Sequence, residues 1–244
     1  MRRIVRAAII SDIHGNREAL DVVLDKIEEL ECERIYCLGD IVGYGAEPGY
    51  CVDRVRESCS EVVAGNHDHA VLGKINVECF NPHAQQATLW TREQLSEEQL
   101  LYLDRLPLVR SLESCTIVHG SLDSPELFDY IQSSYHAYLT LKCLGNKVCF
   151  VGHSHVPIAF LLDEVITYTL DTRIELREVM KAIVNVGSVG QPRDGNPLSS
   201  FAIYDDENES AEIHRIPYDI EGSASRILAA GLPEFLAERL IVGR

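Results

Sequence analysis

The sequence predicts an α/β fold with four layers in the order α-β-β-α, in which two mixed sheets pack together and helices cover both outer faces. In the first half of the chain, short apolar runs alternate with helical patterns, which is typical of a right-handed, mostly parallel sheet. The second half is richer in strand-like segments with the character of hairpins. No repeat or linker interrupts the chain, so we expect one domain over residues 1–244.

The predicted strands form two groups. The first group consists of short apolar runs that end at a glycine or a polar cluster and have the length of buried strands. They cover residues 7–11, 34–38, 61–64, 115–118, 148–151 and 182–186. The second group has the composition of hairpin strands. Its members cover residues 159–162, 165–169, 174–179, 201–204 and 212–216.

The predicted helices are marked by their start signals. Asn16 is a suitable cap for a helix with an apolar stripe, and residues 48–58 read as a second helix that begins at a proline. Ser96 and Gln99 have the spacing of a capping box, and Pro233 separates two short helical patterns near the end of the chain. The stripe of the first helix is Leu20, Val23, Leu24, Ile27 and Leu30.

The composition of the chain limits the kinds of partner that it can bind. With 22 basic and 38 acidic residues the net charge is −16, which argues against a broad basic surface for duplex nucleic acid. An acidic protein can still bind a phosphate group where metal ions supply the positive charge. No signal-peptide core or run of about 20 apolar residues is visible, so we expect a soluble cytoplasmic protein with no membrane partner.

The eight cysteines do not indicate a disulfide framework. Cys37, Cys115 and Cys149 lie inside apolar strand-like runs, where cysteine acts as a small hydrophobic residue, and there is no C-x-x-C pair. We therefore expect free thiols and a reducing compartment.

Polar clusters follow five of the predicted strands, at the edge where the strands of an α/β sheet build a site. Taken singly, each cluster is as well explained by a turn or a packed histidine, but the ordered set indicates a metal site. The predicted ligands are Asp12, His14, Asp40, Asn66, His119, His153 and His155.

This ligand set has a distinct chemistry. Four imidazoles, two carboxylates and one amide, with no thiolate, suit Mn, Fe, Zn, Co or Ni better than Ca or Mg, and manganese is favoured. Seven ligands are too many for one ion with an open position. Shared between two ions, with Asp40 as the bridge, they leave room for a water that the metals can activate against a phosphoryl group.

The motifs resemble those of the calcineurin-like metallophosphoesterase superfamily. The matching stretches are Asp12-x-His14, Gly39-Asp40, Gly65-Asn66-His67-Asp68, His119, Gly152-His153-x-His155 and the loop 185–188. The resemblance implies one metal on Asp12, His14, Asp40 and His155, and a second on Asp40, Asn66, His119 and His153. It also implies that His67 is the general acid that protonates the leaving oxygen, while Asp40 takes part in catalysis as the bridging ligand.

The sequence departs from the family at one point. Protein phosphatases and dinucleoside tetraphosphatases of the superfamily carry Gly-Asp-x-Val-Asp-Arg-Gly, whereas this chain has Gly-Asp-Ile-Val-Gly-Tyr-Gly over residues 39–45. The arginine that clamps phosphate is missing, which favours the small prokaryotic phosphodiesterase-like branch. We expect a metal-bridging hydroxide to attack a phosphodiester in line. The alternatives are a phosphomonoesterase or dinucleoside polyphosphate hydrolase, and an interaction scaffold with the same fold.

Three further residues are weaker candidates for contacts with a small phosphate-ester substrate. Arg193 lies in a glycine-rich loop, Tyr44 follows the second cluster, and His83 stands at a predicted helix start. Each has a plainer explanation as a solvated, packed or helix-end residue. The apolar segment 232–242 is expected to pack on the body of the protein, with a homodimer contact as the alternative.

Overall fold

The computed structural model describes residues 6–244, which contain twelve strands and eight α-helices. The strands are β1 Arg6–Ile10, β2 Arg34–Cys37, β3 Glu61–Val62, β4 Val109–Ser111, β5 Thr116–Val118, β6 Val148–Val151, β7 Ile158–Leu162, β8 Ile166–Thr169, β9 Arg173–Glu175, β10 Lys181–Asn185, β11 Ser199–Asp205 and β12 Ser210–Ile216. The helices are α1 Arg17–Glu29, α2 Pro48–Ser58, α3 Asn66–Val71, α4 Pro82–Gln94, α5 Glu97–Asp104, α6 Ser134–Cys143, α7 Ile220–Ala229 and α8 Glu234–Val242.

The strands form two six-stranded sheets. The first has the order β3-β2-β1-β11-β12-β9, in which β1, β2 and β3 are parallel and the other pairs are antiparallel. The second has the order β4-β5-β6-β10-β7-β8, in which β5, β6 and β10 are parallel. Both sheets are therefore mixed, as predicted. The parallel half of each sheet sends its carboxyl ends toward the polar clusters.

Three clusters of buried apolar side chains hold the sheets and helices in layers. One core cluster fills the space between the sheets, with Tyr36 of the first sheet and Phe150 of the second among its members. A second cluster packs α1, α2 and α5 on the outer face of the first sheet. A third packs α6 on the outer face of the second sheet. The predicted α-β-β-α order is confirmed.

A fourth apolar cluster stands apart from this sandwich. It joins α4, α7 and α8 through residues such as Ala84, Ile227 and Leu236, and it includes Tyr44 from the loop after β2. The segment 232–242 therefore packs on the body of the protein, as expected. It also brings α8 close to the polar clusters.

The predicted helix starts are confirmed. Asn16 Oδ1 accepts a hydrogen bond from the backbone N–H of Ala19 at 3.1 Å, and Ser96 and Gln99 exchange the two bonds of a capping box. Pro48 is the first residue of α2, and Pro233 immediately precedes α8.

Other elements differ from the sequence expectation. Strand β9 ends at Glu175, earlier than predicted, and the residues after β3 form helix α3. Strand β4 has three residues, and α6 buries only Ala137, Thr140 and Leu141, so neither gives a strong periodic signal. The eight cysteines are free thiols, as expected. Over the described residues, no helix has the length and apolar character needed to cross a bilayer.

Candidate metal centre

The predicted ligands converge at one edge of the sandwich, although they come from both sheets. Loops after β1 and β2 are tied together, because His14 N–H donates to the carbonyl of Asp40 at 2.9 Å. The two sheets are joined there by His153 N–H, which donates to Asp12 Oδ2 at 3.0 Å. The carboxyl ends of five strands thus meet as the sequence predicts.

One group of donors consists of Asp12, His14 and His155, whose donor atoms lie within 4.8 Å of one another. His155 Nε2 lies 3.2 Å from Asp12 Oδ1, and the Nε2 atoms of His14 and His155 are 3.1 Å apart. All three side chains are buried. The family resemblance implies the same three residues, together with the bridging Asp40, as ligands of the first metal.

A second group consists of Asp40, His119 and His153, again within 4.8 Å. His119 Nε2 lies 3.3 Å from Asp40 Oδ2, 3.1 Å from His153 Nδ1 and 3.2 Å from Asn66 Oδ1. All four residues implied for the second metal are therefore side by side.

Three of the histidines are oriented by backbone carbonyls. The Nδ1 atoms of His14, His119 and His155 lie 3.1, 2.9 and 2.6 Å from the carbonyl oxygens of Val42, Leu38 and Gln191. A ring that donates Nδ1–H to a carbonyl can offer the Nε2 lone pair to a metal ion once Nε2 carries no proton.

The donor atoms repel one another or lack hydrogen-bond partners, and divalent cations would relieve both problems. The facing Nε2 lone pairs of His14 and His155 repel unless a cation or a proton lies between them. Asp12 Oδ1 is buried and accepts no hydrogen bond from residues 6–244. A buried carboxylate oxygen without a donor is costly, and a metal ion would satisfy it.

The charges at this edge are strongly coupled. Burial opposes ionisation of Asp12 and Asp40, but the nearby imidazoles outweigh it and hold the pKa of both carboxyls well below the usual range. Burial would lower the pKa of His119, yet the charge of Asp40 prevails and raises it to about 9. Burial lowers the pKa of His153 to about 3, and the positive charge of His119 contributes.

The ligand-bearing backbone is unusual. Five of the predicted ligands have positive φ angles, a region that side chains other than Gly, Asn, Asp and His rarely adopt. They are Asp12 (55°), His14 (52°), Asp40 (50°), His153 (65°) and His155 (59°). Such conformations cost on the order of 1–3 kcal/mol each and cluster at functional sites. The surrounding structure must therefore hold these loops firmly.

Asp68 supplies part of that support, and sequence reasoning gave it no role beyond its place in the motif. Its carboxylate accepts hydrogen bonds from the N–H groups of Gly65, Asp40 and Ile41 at 2.9–3.0 Å and from Val42 at 3.3 Å. Burial, with the charge of Asp40, raises the pKa of Asp68 to about 7. The position of Asp68 two residues after Asn66 was the available signal, but its partners are remote in sequence.

Two motif glycines are required by close approach. A Cβ on Gly65 would overlap the carboxylate of Asp40, and a Cβ on Gly152 would overlap Ser11 Oγ and Asp12 Oδ2. The glycines of these motifs therefore make room for the carboxylates.

His67 lies beside the donors, at the floor of a groove. Its backbone N–H donates to Asp40 Oδ1 at 2.8 Å, and its ring packs against Tyr44 and Phe80 with centroid distances of 4.5 and 4.9 Å. Burial lowers the pKa of His67 to about 4. The groove has a volume of about 530 Å³ and is lined by His67, Asn66 and His153 together with Tyr44, Phe80, Phe128 and Tyr130.

The three weaker candidates separate in the structure. Tyr44 lines the groove, with its ring 4.6 Å from that of His14, and the guanidinium carbon of Arg193 lies 5.5 Å from the Tyr44 centroid. His83 instead is exposed and stacks on Phe235 at 4.7 Å. Tyr44 and Arg193 thus lie beside the predicted metal ligands, whereas His83 does not.

Comparison with known proteins agrees with the site. The calcineurin-like phosphoesterase superfamily domain matches residues 5–209. The chain therefore belongs to this superfamily, which confirms the resemblance seen in the motifs. Together with the His/Asp clusters, membership indicates a phosphoesterase that binds divalent metal.

Individual relatives are similar over most of their length. The uncharacterised protein MJ0912 of Methanocaldococcus jannaschii is 40% identical over 242 residues, which is 97% of this chain and 98% of that protein. Phosphodiesterase YfcE of Escherichia coli K12 is 26% identical over 199 residues, covering 78% and 82%. The crystal structure of a metallophosphoesterase from Sphaerobacter thermophilus superposes with a TM-score of 0.88 at 38% identity, covering 99% and 100%.

Proposed function

We propose that the chain hydrolyses phosphate esters with two metal ions, and that phosphodiesters are its preferred substrates. The position of Asp40 carries the two-ion arrangement: its Oδ2 lies 3.7 Å from His14 Nε2 and 3.3 Å from His119 Nε2. One carboxylate oxygen therefore faces a histidine of each half-site, as a bridging ligand must. The other ligands divide into Asp12, His14 and His155 on one side and Asn66, His119 and His153 on the other.

Two divalent ions, when bound, supply positive charge to the phosphoryl oxygens and lower the pKa of a water between them. Among Mn, Fe, Zn, Co and Ni we favour manganese, because two carboxylates and an amide oxygen add hard ligands to the imidazoles. The protein's own contribution is a fixed donor arrangement, in which backbone carbonyls orient three of the rings.

In this proposal His67 protonates the leaving oxygen. Its ring lines the groove, and one of its nitrogens lies within 4.8 Å of donor atoms of His14 and Asp40. With a pKa of about 4 the ring is neutral at pH 7 until negative charge arrives beside it. The negative charge of a bound phosphate acts on that pKa in the opposite direction to burial, which favours the protonated ring that the proposed role needs.

The preference for diesters rests on the loop after Asp40. Tyr44 occupies the place where related phosphatases carry an arginine, so this loop offers one positive charge fewer to a phosphate. A diester, with a single negative charge, needs less compensation than a monoester. The similarity to Phosphodiesterase YfcE supports the same preference. We further propose that Tyr44 and Arg193 contact the substrate, with Arg193 approaching from a different loop.

The test compares His67→Ala with His69→Ala, a control on the same helix whose ring contacts Phe128. Manganese-loaded proteins are assayed on a p-nitrophenyl diester and on an alkyl diester with a poor leaving group. We expect H67A to retain its metals and to lose about 10²–10⁴ in kcat on the alkyl ester, but much less on the p-nitrophenyl ester.

Each alternative outcome is decisive. If H67A loses metal, His67 is a ligand and not the acid. If wild type hydrolyses monoesters faster than diesters, the preference is reversed in favour of a phosphomonoesterase. If it hydrolyses neither class when fully loaded, the proposed activity is wrong and a scaffold role gains support.

A further inference from the structure

The groove beside the metal centre has a largely aromatic lining. Its volume of about 530 Å³ lies within the range of about 300–1,000 Å³ that small-molecule sites occupy. Ile75, Ala84 and Leu127 add aliphatic surface to four aromatic side chains. The aromatic side chains are Tyr44, Phe80, Phe128 and Tyr130. The groove therefore offers rings and apolar surface immediately next to Asn66 and His153, two of the predicted metal ligands.

Three of these rings pack directly on histidines of the centre. The Tyr130 ring stacks on His153 with a centroid distance of 3.9 Å and an interplanar angle of 16°. Tyr44 and Phe80 pack on His67 at centroid distances of 4.5 and 4.9 Å. Tyr130 remains 44% exposed, so part of its ring is open to a further group. A flat ring in the groove would therefore meet other flat rings.

The segment that carries Phe128 is anchored to the metal centre. Phe128 has a φ of 54°, a conformation that is rare for a bulky side chain. Its buried ring lies 5.4 Å from the ring of His69 and 6.0 Å from that of His119. A Cβ on Gly120 would come within 2.9 Å of the backbone oxygen of Asp129, so this segment lies tightly against the loop after β5. Backbone strain of this kind collects at ligand sites.

His67 determines which part of the substrate enters the groove. In the proposed reaction His67 protonates the leaving oxygen, so that oxygen must lie beside the His67 ring. The same ring lines the groove between Tyr44 and Phe80. The group attached to the leaving oxygen therefore extends into the groove.

The charged residues that line the groove, apart from its histidines, are acidic. They are Glu126 and Asp129, and no Lys or Arg of the described chain lines it. The Arg193 guanidinium lies over the Tyr44 ring, but Arg193 is outside the lining, and its N–H donates to the carbonyl of His155 on the side of the ligand loops. A leaving group with negative charge would meet charge of the same sign in the groove.

We propose that this groove is the leaving-group subsite, and that it selects phosphodiesters whose leaving alcohol carries a flat aromatic ring and no negative charge. This inference rests on the proposed phosphoesterase function and narrows its substrate class. Phe80 and Tyr130 pack on the ring of the leaving group, and Glu126 and Asp129 repel an anionic one. A saturated ring of similar size fills the same space but loses the favourable ring-to-ring geometry.

The kinetic experiment compares three symmetrical diesters on the manganese-loaded protein. They are dibenzyl phosphate, bis(cyclohexylmethyl) phosphate and bis(4-carboxybenzyl) phosphate, and each releases a weakly acidic primary alcohol. We expect kcat/KM for the dibenzyl ester to exceed that for the cyclohexylmethyl ester by about five- to tenfold. It should exceed that for the carboxybenzyl ester by at least about tenfold, because like charges then face each other.

A binding experiment gives a readout that does not depend on hydrolysis. The affinities of benzylphosphonate and cyclohexylmethylphosphonate are measured by calorimetry in excess Mn²⁺. We expect the benzyl compound to bind several-fold more tightly, in line with the kinetic preference.

Variants of the aromatic lining assign the preference to the groove. Tyr130→Leu and Phe80→Leu should each reduce the benzyl to cyclohexylmethyl ratio several-fold. Tyr130→Phe keeps the ring and should keep the ratio. Tyr138→Leu removes an exposed aromatic ring of α6 that does not line the groove, and it should also keep the ratio.

A second set of variants tests the acidic residues. Glu126→Gln combined with Asp129→Asn should reduce the discrimination against the carboxybenzyl ester several-fold and leave the benzyl to cyclohexylmethyl ratio unchanged. Both positions are exposed, so the fold should tolerate the change. The matched control is Glu164→Gln, at an exposed position in the turn between β7 and β8.

The outcomes separate this inference from the proposal beneath it. Equal rates and equal affinities for the benzyl and cyclohexylmethyl compounds in wild type would overturn the aromatic subsite, as would an unchanged ratio in both Y130L and F80L. Equal rates for the dibenzyl and carboxybenzyl esters would overturn the exclusion of negative charge. If no diester is hydrolysed but benzylphosphonate keeps its advantage, the phosphoesterase proposal is wrong and the groove remains a site for a flat ring.

Discussion

The ligand loops and the wall of the groove lie next to each other but are built in opposite ways. The ligand loops are buried and cross-linked by hydrogen bonds, as the Asp68 carboxylate with its four N–H donors illustrates. The groove wall, formed by residues 75–81 and 126–130, is open: Leu127 is 65% exposed and Tyr130 is 44% exposed. The predicted metal ligands are therefore held rigidly, whereas the side chains that would contact the rest of the substrate are exposed and less constrained.

The strongest test of rigidity is to add one methyl group to a ligand loop. In Gly65→Ala the new Cβ overlaps the Asp40 carboxylate. We expect metal affinity and kcat/KM to fall by about 100-fold or more, because the bridging ligand must move. Metal content by atomic emission and diester hydrolysis measure the two effects.

The matched control is Gly145→Ala, where a Cβ meets no atom within 4 Å. It should leave both quantities unchanged. Full metal occupancy and activity in G65A would show that the ligand loops are more adaptable than their hydrogen bonds suggest.

A smaller effect should appear in the pH dependence of metal binding. Asp40 overcomes the effect of burial and raises the pKa of His119 to about 9, so the metal-free protein holds a proton there at neutral pH. A metal ion needs the neutral ring, so binding must release that proton. We expect the apparent affinity to rise about tenfold per pH unit below pH 9 and to level off above it.

Calorimetry in buffers of different ionisation enthalpy measures the protons released. Binding that releases no proton at pH 7 would show that His119 is already neutral in the metal-free protein. It would also weaken the picture of tightly coupled charges in the ligand loops.

The smallest effect is expected on the groove wall. The Tyr130 ring stacks on His153 at a centroid distance of 3.9 Å but is partly open to solvent. Tyr130→Ala should raise KM several-fold and leave the metal content intact, because His153 keeps its other contacts. Tyr138→Ala, at an exposed position on α6, is the control. Loss of metal in Y130A would place Tyr130 with the ligand loops instead.

The same contrast explains what the sequence revealed. Asp12, His14 and Asp40 could be predicted as neighbours because parallel strands end at a common edge and their residue types state their chemistry. The cap at Asn16 was equally local. The two mixed sheets followed from the alternation of strand and helix patterns.

What the sequence could not reveal depends on contacts between distant segments. Asp68 supports the ligand loops by accepting hydrogen bonds from backbone N–H groups. Because any residue except proline provides such a group, the residue types give no signal of this contact. The approach of Arg193 to Tyr44 depends on how two loops pack, and α6 buries too short a stripe to stand out. The groove wall was hard to predict for the same reason that it is open: few of its residues are constrained.

The positive φ angles of five predicted ligands have a consequence for how this centre can change through evolution. Among residues with side chains, Asn, Asp and His enter that backbone region most readily, and Asp and His are also the donors that the metals require. Backbone tolerance and metal chemistry therefore select the same residues. If a descendant of this protein lost its metals, we expect those positions to drift first to Asn or Gly, and an alignment of such descendants would show whether apolar residues appear there instead.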